Sequence, residues 1–153
     1  MNAQRREWTD LDFESLSWHD NQIHALRLRN PREAYDFDVL LDIDHILKWI
    51  ESPDGTFRFL IAPAILTFHN VLNLDCRFAL TYKEHITISR IDREGIVLRP
   101  GGDVGPRWYR WRVHLQPDAS GPGLISFEAT GFTLKLTKDP IESSCSWLED
   151  DQR

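Results

Sequence analysis

Tyr35-Asp36-Phe37-Asp38-Val39-Leu40-Leu41-Asp42-Ile43-Asp44 is the stretch whose reading decides the fold. Tyr35, Phe37, Val39, Leu41 and Ile43 fall on odd positions; Asp36, Asp38, Asp42 and Asp44 fall on even ones, with Leu40 the exception. Successive side chains of an extended strand point to opposite faces. The spacing therefore predicts a strand with an apolar face for the core and an acidic face for water. Downstream, Ile43, Ile46, Leu47 and Ile50 would also fit a helical turn. Ser52-Pro53-Asp54-Gly55 follows, however, and favours a strand that ends in a hairpin. Proline presets φ, aspartate bonds its own backbone and glycine accepts positive φ. The returning strand is expected over Thr56–Ile61.

Further strands are expected over Gln22–Arg29, Ile65–Val71, Leu74–Leu80, His85–Ile91, Trp108–Leu115, Leu124–Thr130 and Phe132–Leu136. Turn chemistry separates most of them: Asn30-Pro31, Arg93-Glu94-Gly95, Pro100-Gly101-Gly102-Asp103 and Ala119-Ser120-Gly121-Pro122-Gly123. Gly131 interrupts a run of alternation and marks a bulge or bend. Helix is scarce. Thr9–Ser17 reads as a short one with Phe13 and Leu16 inward, and Asp139-Pro140-Ile141-Glu142 as the start of another that would dock Trp147 and Leu148. The expected class is mainly β, or α+β with minor helix: an antiparallel β-sandwich or strongly curved sheet, with one or two short helices at the termini.

Length and composition agree with this reading. The 153 residues fit one domain, with a core over about residues 9–148 and flexible ends at 1–8 and 149–153. Eight Phe, six Trp and three Tyr supply large apolar side chains to fill it. The net charge of −6 lies wholly in the first half: residues 1–75 carry seven Lys and Arg against thirteen Asp and Glu, and residues 76–153 carry eleven of each. That balance disfavours nucleic acid and anionic membrane as partners, since both need clustered positive charge. Met1–Trp8 contains no apolar targeting segment, and Phe59–Leu66 is too short to span a bilayer. Cys76 and Cys145 form no C-x-x-C pair and read as free thiols of a reducing compartment. The expectation is a cytoplasmic protein.

Three clusters could carry chemistry. Asp36, Asp38, Asp42 and Asp44 point the same way along a strand, so Asp42 and Asp44 could hold a hard cation. There is no D-x-D-x-D-G loop with its bidentate Glu, and a solvated sheet face beside a basic strand is the simpler account. His19 and Asp20, with His24 four residues on, could transfer a proton, because a carboxylate can orient a ring that titrates near neutrality. Against this, Asp20-Asn21 before a strand reads as a turn bonding its own backbone. Arg107-Trp108-Tyr109-Arg110-Trp111-Arg112 is the one basic aromatic stretch. As a strand it sends Tyr109, Trp111, Val113 and Leu115 inward, leaving Trp108, Arg110 and Arg112 outside as an interface rather than a base-stacking platform. Glycines 101, 102 and 105 lack the spacing of a phosphate loop, and no G-x-S-x-G elbow occurs. No cofactor is expected, and the balance leans away from an enzyme.

Ser17-Trp18-His19-Asp20, residues 41–49 (LDIDHILKW), residues 62–71 (APAILTFHNV) and Ala129-Thr130-Gly131-Phe132 together resemble a family of bacterial proteins of about this length whose activity is uncharacterised. The resemblance covers roughly residues 13–137. That family is similar, more weakly, to the small β-rich immunity proteins that neutralise bacterial toxins. It implies no catalytic residues. Two functional classes follow. One is a non-catalytic, immunity-like binding protein that shows Asp36, Asp38, Asp42 and Asp44 to a basic protein partner. The other is a small metal-dependent or His/Asp-based hydrolase built on His19, Asp20 and His24. A homodimer is compatible with either.

Overall fold

A computed structural model describes residues 5–30, 37–79, 85–96, 107–118 and 121–153. Tyr35, Asp36 and the Pro100-Gly101-Gly102-Asp103 loop lie outside them. The described chain is mainly strand: β1 (Glu7–Thr9), a 3-10 helix (Asp10–Ser15), β2 (Gln22–Arg29), β3 (Phe37–Glu51), β4 (Phe57–Arg77), β5 (Ile86–Ile96), β6 (Tyr109–Asp118), β7 (Gly121–Ala129), β8 (Gly131–Leu136) and β9 (Ile141–Ser143). All pairings are antiparallel, in the order β1-β8-β4-β3-β2-β5-β6-β7, with β9 on β4. β7 also pairs with β4, so the sheet curves until it meets itself.

The strand around residues 37–51 forms as its alternation predicts. The Pro53 turn closes the hairpin: Ser52 N–H donates to Thr56 O at 2.8 Å, Gly55 N–H to Ser52 O at 2.9 Å, and Gly55 takes φ +80°. The returning chain differs from expectation. The strands expected at Thr56–Ile61, Ile65–Val71 and Leu74–Leu80 are one continuous β4 of 21 residues. Pro63 does not break it. In an antiparallel ladder a residue's N–H and C=O point to the same neighbour. Pro63 accepts Thr137 N–H at 2.8 Å on the side where pairing passes from β8 to β9, so its missing donor falls at a break in the ladder.

β4 turns its corner at Asn70 and Asn73, both in the left-handed region at φ 55° and 54°, which asparagine tolerates better than most residues. Its partner bends opposite, at Thr130, and there the inward-facing set switches from Ile125, Phe127 and Ala129 to Phe132, Leu134 and Leu136. On β4 it switches in step, from Ala64, Leu66 and Phe68 to Val71. Side chains tie the corner: Asn70 Nδ2 donates to Thr130 Oγ1 at 2.9 Å, and Asn73 Nδ2 to Glu128 Oε2 at 3.2 Å. Between the layers, Trp111, Phe68, Phe127 and Phe132 are all fully buried.

Both termini depart from the helical expectation. Thr9–Ser17 winds only into the short 3-10 turn, which rests Phe13 and Leu16 on the core. Asp139-Pro140 starts no helix. Ile141–Ser143 becomes β9, because pairing with Phe59–Ile61 satisfies backbone groups on an edge that β8 leaves uncovered. Residues at both expected loose ends make contacts: β1 pairs with β8, and Arg153 reaches Asp42 and Asp44. Among the described residues no helix is long and apolar enough to cross a membrane.

Candidate functional site

The β2–β3 register puts Arg29 opposite Asp38, Ala25 opposite Asp42 and Gln22 opposite Asp44. Only Asp38 thus stands opposite a basic residue of β2, and Asp42 and Asp44 are reached by Arg153 instead. Asp38 receives Arg29 at 2.8 Å and the Asn70 N–H at 3.3 Å, with His69 Nδ1 3.6 Å away. Asp42 binds the Arg153 guanidinium and has Arg27 at 4.0 Å. Asp44 accepts from the Leu148 N–H at 2.9 Å and from Arg153, and His24 Nε2 lies 2.8 Å from its Oδ2.

This corrects the solvated acidic face. Asp38 and Asp44 are buried, Asp44 completely, and only Asp42 keeps appreciable exposure. Residues 144–153 fold back over the outer side of β3, a long-range contact that periodicity does not encode. Phe37, expected inside, is 46 % exposed, at a register shift between Phe37 and Val39. Asp36 lies outside the described residues.

The second cluster separates. His19 Nδ1 is 3.1 Å from Asp20 Oδ2, and Gln116 Nε2 donates to the other oxygen of Asp20. His19 is largely exposed, with its ring 6.3 Å from that of Trp49. Asp20 adopts φ 67° in the turn that its sequence suggests, and its N–H donates to Ile88 O at 2.9 Å. His24, the third member, turns away to Asp44. It is the extra residue of a bulge between Ile23 and Ala25, a local irregularity that re-aims side chains. The structure thus makes two separate His–Asp pairs from residues grouped differently in the sequence. Among the described residues no group of three or more His, Cys, Asp or Glu side chains could hold a metal ion.

The basic aromatic stretch is likewise divided. Trp111, Val113 and Leu115 are buried, and Tyr109 packs against them. Outside, Arg112 pairs with Glu94, and Arg110 lies 3.8 Å from Glu128. Trp108 is half-buried. Facing acids on β5 and β7 therefore balance both interface arginines.

A buried polar pair lies on the other side of β3, made of Asn21 from the expected turn and His45, which does not join His19 and Asp20. Asn21 and His45 are buried beside Trp18. Asn21 Oδ1 accepts the Ile46 N–H at 2.8 Å, its Nδ2 donates to Ser17 O at 3.3 Å, and His45 Nδ1 lies 3.5 Å from that amide nitrogen. Burial pushes the His45 imidazole down to about 4, from an ordinary 6.5. The folded ring is then neutral at pH values where an unfolded one takes a proton. Stability is complete above about 6.5 and falls as the pH drops toward 4, by about 3 kcal/mol over the whole window. Urea titrations at pH 7 and pH 5 should show a loss of about 2 kcal/mol in the wild type that His45→Gln lacks. Equal losses in both proteins would place the acid sensitivity elsewhere.

The β3–β4 hairpin also exposes aromatic rings. Trp49 pairs with Phe59 and Glu51 with Phe57. The Trp49 ring lies 5.8 Å from that of Phe57 and 4.9 Å from that of Phe59, in edge contacts. Phe59 joins Ile46, Ile61 and Leu148 in a small second core outside the sheet. Trp49 and Phe57 remain 38 % and 48 % exposed, and Trp147, next to Leu148, remains 37 % exposed. Counting outward from the turn would have paired these aromatics, because turn type fixes register. No protein-family model, curated protein or solved structure matches this chain.

Proposed function

We propose that this chain is a non-catalytic binding protein that engages a basic protein partner through the outer face of the β3–β4 hairpin. The observation that carries the reading is the exposed Trp49–Phe57 pair, held on a paired hairpin beside uncompensated acids. Large aromatic side chains on a rigid element are what interface hot spots use. Glu51 sits on the same hairpin, and Glu149, Asp150 and Asp151 follow Leu148, which packs on Phe59. All four are exposed and have no cationic partner among the described residues. With Asp38, Asp42 and Asp44 already neutralised inside the fold, these acids supply the field that would steer a basic partner. The resemblance to immunity proteins points the same way, with a cytoplasmic toxin domain as the partner class.

A photo-crosslinking amino acid at position 57 tests this. It should capture a basic protein, and the purified pair should bind less tightly as salt rises. Trp49→Ala should weaken that binding by about thirtyfold, a loss of about 2 kcal/mol. Neutralising Glu149, Asp150 and Asp151 together should slow association and flatten the salt dependence. Undiminished binding by a folded Trp49→Ala protein overturns the proposal. So does a captured species that is a second copy of this chain.

A further inference from the structure

We propose that Asp42 and Asp44 form a binding site for an arginine side chain of the basic partner, and that Arg153 occupies this site in the free protein. In naming the partner this rests on the binding reading above; the site itself is separable from it. Asp42 and Asp44 stand two residues apart on β3, so their side chains leave the same face of the sheet. The guanidinium of Arg153 bridges them, one terminal nitrogen donating to Asp42 Oδ1 and the other to Asp44 Oδ1. Arg153 thus marks the chemistry that the pair accepts.

Asp44 is held in place for this role. Its side chain is completely buried, and its Oδ2 accepts the Leu148 N–H at 2.9 Å and lies 2.8 Å from His24 Nε2. Those contacts fix the carboxylate and leave Oδ1 for the guanidinium. Asp42 supplies the second oxygen at the rim, where part of its side chain stays exposed and Arg27 approaches to 4.0 Å. Two acceptors at separate points suit the planar fork of an arginine better than the single ammonium of a lysine. The site also adjoins the hairpin surface: Leu148 packs with Phe59, whose ring lies 4.9 Å from that of Trp49. An arginine at Asp42 and Asp44 would therefore extend the contact made at Trp49.

Arg153 reaches the site on a short strap. Beyond β9, residues 144–153 contain no strand or helix. Leu148 anchors the strap in the small core of Ile46, Phe59 and Ile61. Glu149 N–H donates to Gln152 Oε1 at 2.9 Å in the turn that brings Arg153 back to β3, and Lys138 Nζ donates to Arg153 O at the surface. Four residues separate Arg153 from its anchor, a tether that presents it at an effective concentration on the order of millimolar. A partner already in contact with the hairpin has the same advantage and can take its place. The exchange needs only residues 149–153 to lift, with Leu148 still seated.

Arginine and lysine, each blocked as the N-acetyl methylamide, are the probes, titrated into the isotope-labelled protein and followed by NMR. Arg153→Ala should bind the blocked arginine with saturating shifts at the Asp42, Asp44 and Leu148 amides, and the blocked lysine about tenfold more weakly. The wild type should bind the blocked arginine about tenfold more weakly than Arg153→Ala does, because the strap competes. As it saturates, its Gln152 and Arg153 amide signals should move toward those of an unstructured chain. Arg153→Lys keeps the charge on the strap and should fall between the two, a comparison that holds even where Arg153→Ala loosens the fold. Adding Asp42→Asn to Arg153→Ala should weaken binding about tenfold. Adding Trp49→Ala should leave it unchanged, which separates this site from the hairpin surface. The proposal is overturned by an Arg153→Ala protein that does not saturate, by equal affinity for the two probes, or by a wild type that binds with Gln152 and Arg153 unmoved.

Discussion

Replacing Trp111 with alanine is expected to cost about 3–5 kcal/mol of stability, the range for deleting a large aromatic side chain from a core. Trp111 is fully buried, and its indole sits where the layers meet. Its ring makes edge or tilted contacts with Phe13 at 5.4 Å, Phe68 at 5.3 Å and Phe132 at 5.7 Å, so it links the 3-10 helix, β4 and β8 to β6. Its Nε1–H donates to Ala129 O at 3.3 Å, next to the bend at Thr130. The Arg93 guanidinium lies over the neighbouring rings, 4.9 Å from Phe13 and 5.1 Å from Tyr109. Alanine would leave a cavity bounded by three elements, and a curved sheet closed on itself cannot collapse into it without losing register. Trp111→Phe keeps most of the volume and should cost about 1–3 kcal/mol, chiefly for the orphaned Ala129 carbonyl and the residual void. Urea unfolding of both variants checks the order. A Trp111→Ala loss below about 1 kcal/mol would mean that the aromatic cluster is not what joins the layers.

Asp44→Ala should be comparably costly, at about 3–5 kcal/mol, for an electrostatic reason. Removing one member of a buried charged network strands the others. Asp44 is completely buried and is the common acceptor for His24, Arg153 and the Leu148 N–H. Without it, Arg153 keeps only Asp42, and the Leu148 amide is buried with no acceptor. The tail over residues 144–153 should then loosen, which amide exchange at Leu148 would read as faster than in the wild type. Asp44→Asn retains one acceptor oxygen and should lose less, about 1–3 kcal/mol. Unchanged exchange at Leu148 in Asp44→Ala would show that packing of Leu148 on Phe59, rather than the carboxylate, holds the tail.

The two largest effects come from residues that the sequence exposes to different degrees. Trp111 is legible: period 2 through Tyr109, Trp111, Val113 and Leu115 assigns it to the inside, and hydrophobic burial is local and non-directional enough for that assignment to hold. Asp44 is not. The same period assigns it to water, and the error arises because alternation reports only which face a side chain takes, never what covers that face.

By itself the sequence determined that this chain is built of strands, that residues 37–51 and the Pro53 turn form a hairpin, and that most odd positions of that strand look inward. These are consequences of backbone geometry over a few neighbouring residues. Only the tertiary structure decided that β4 runs unbroken past Pro63, that Ile141–Ser143 is a strand rather than a helix start, and that the aspartates are spent on Arg29, His24 and Arg153. Each of those outcomes depends on partners many residues away along the chain, because an edge hydrogen bond or a buried ion pair is settled by the group that arrives opposite it.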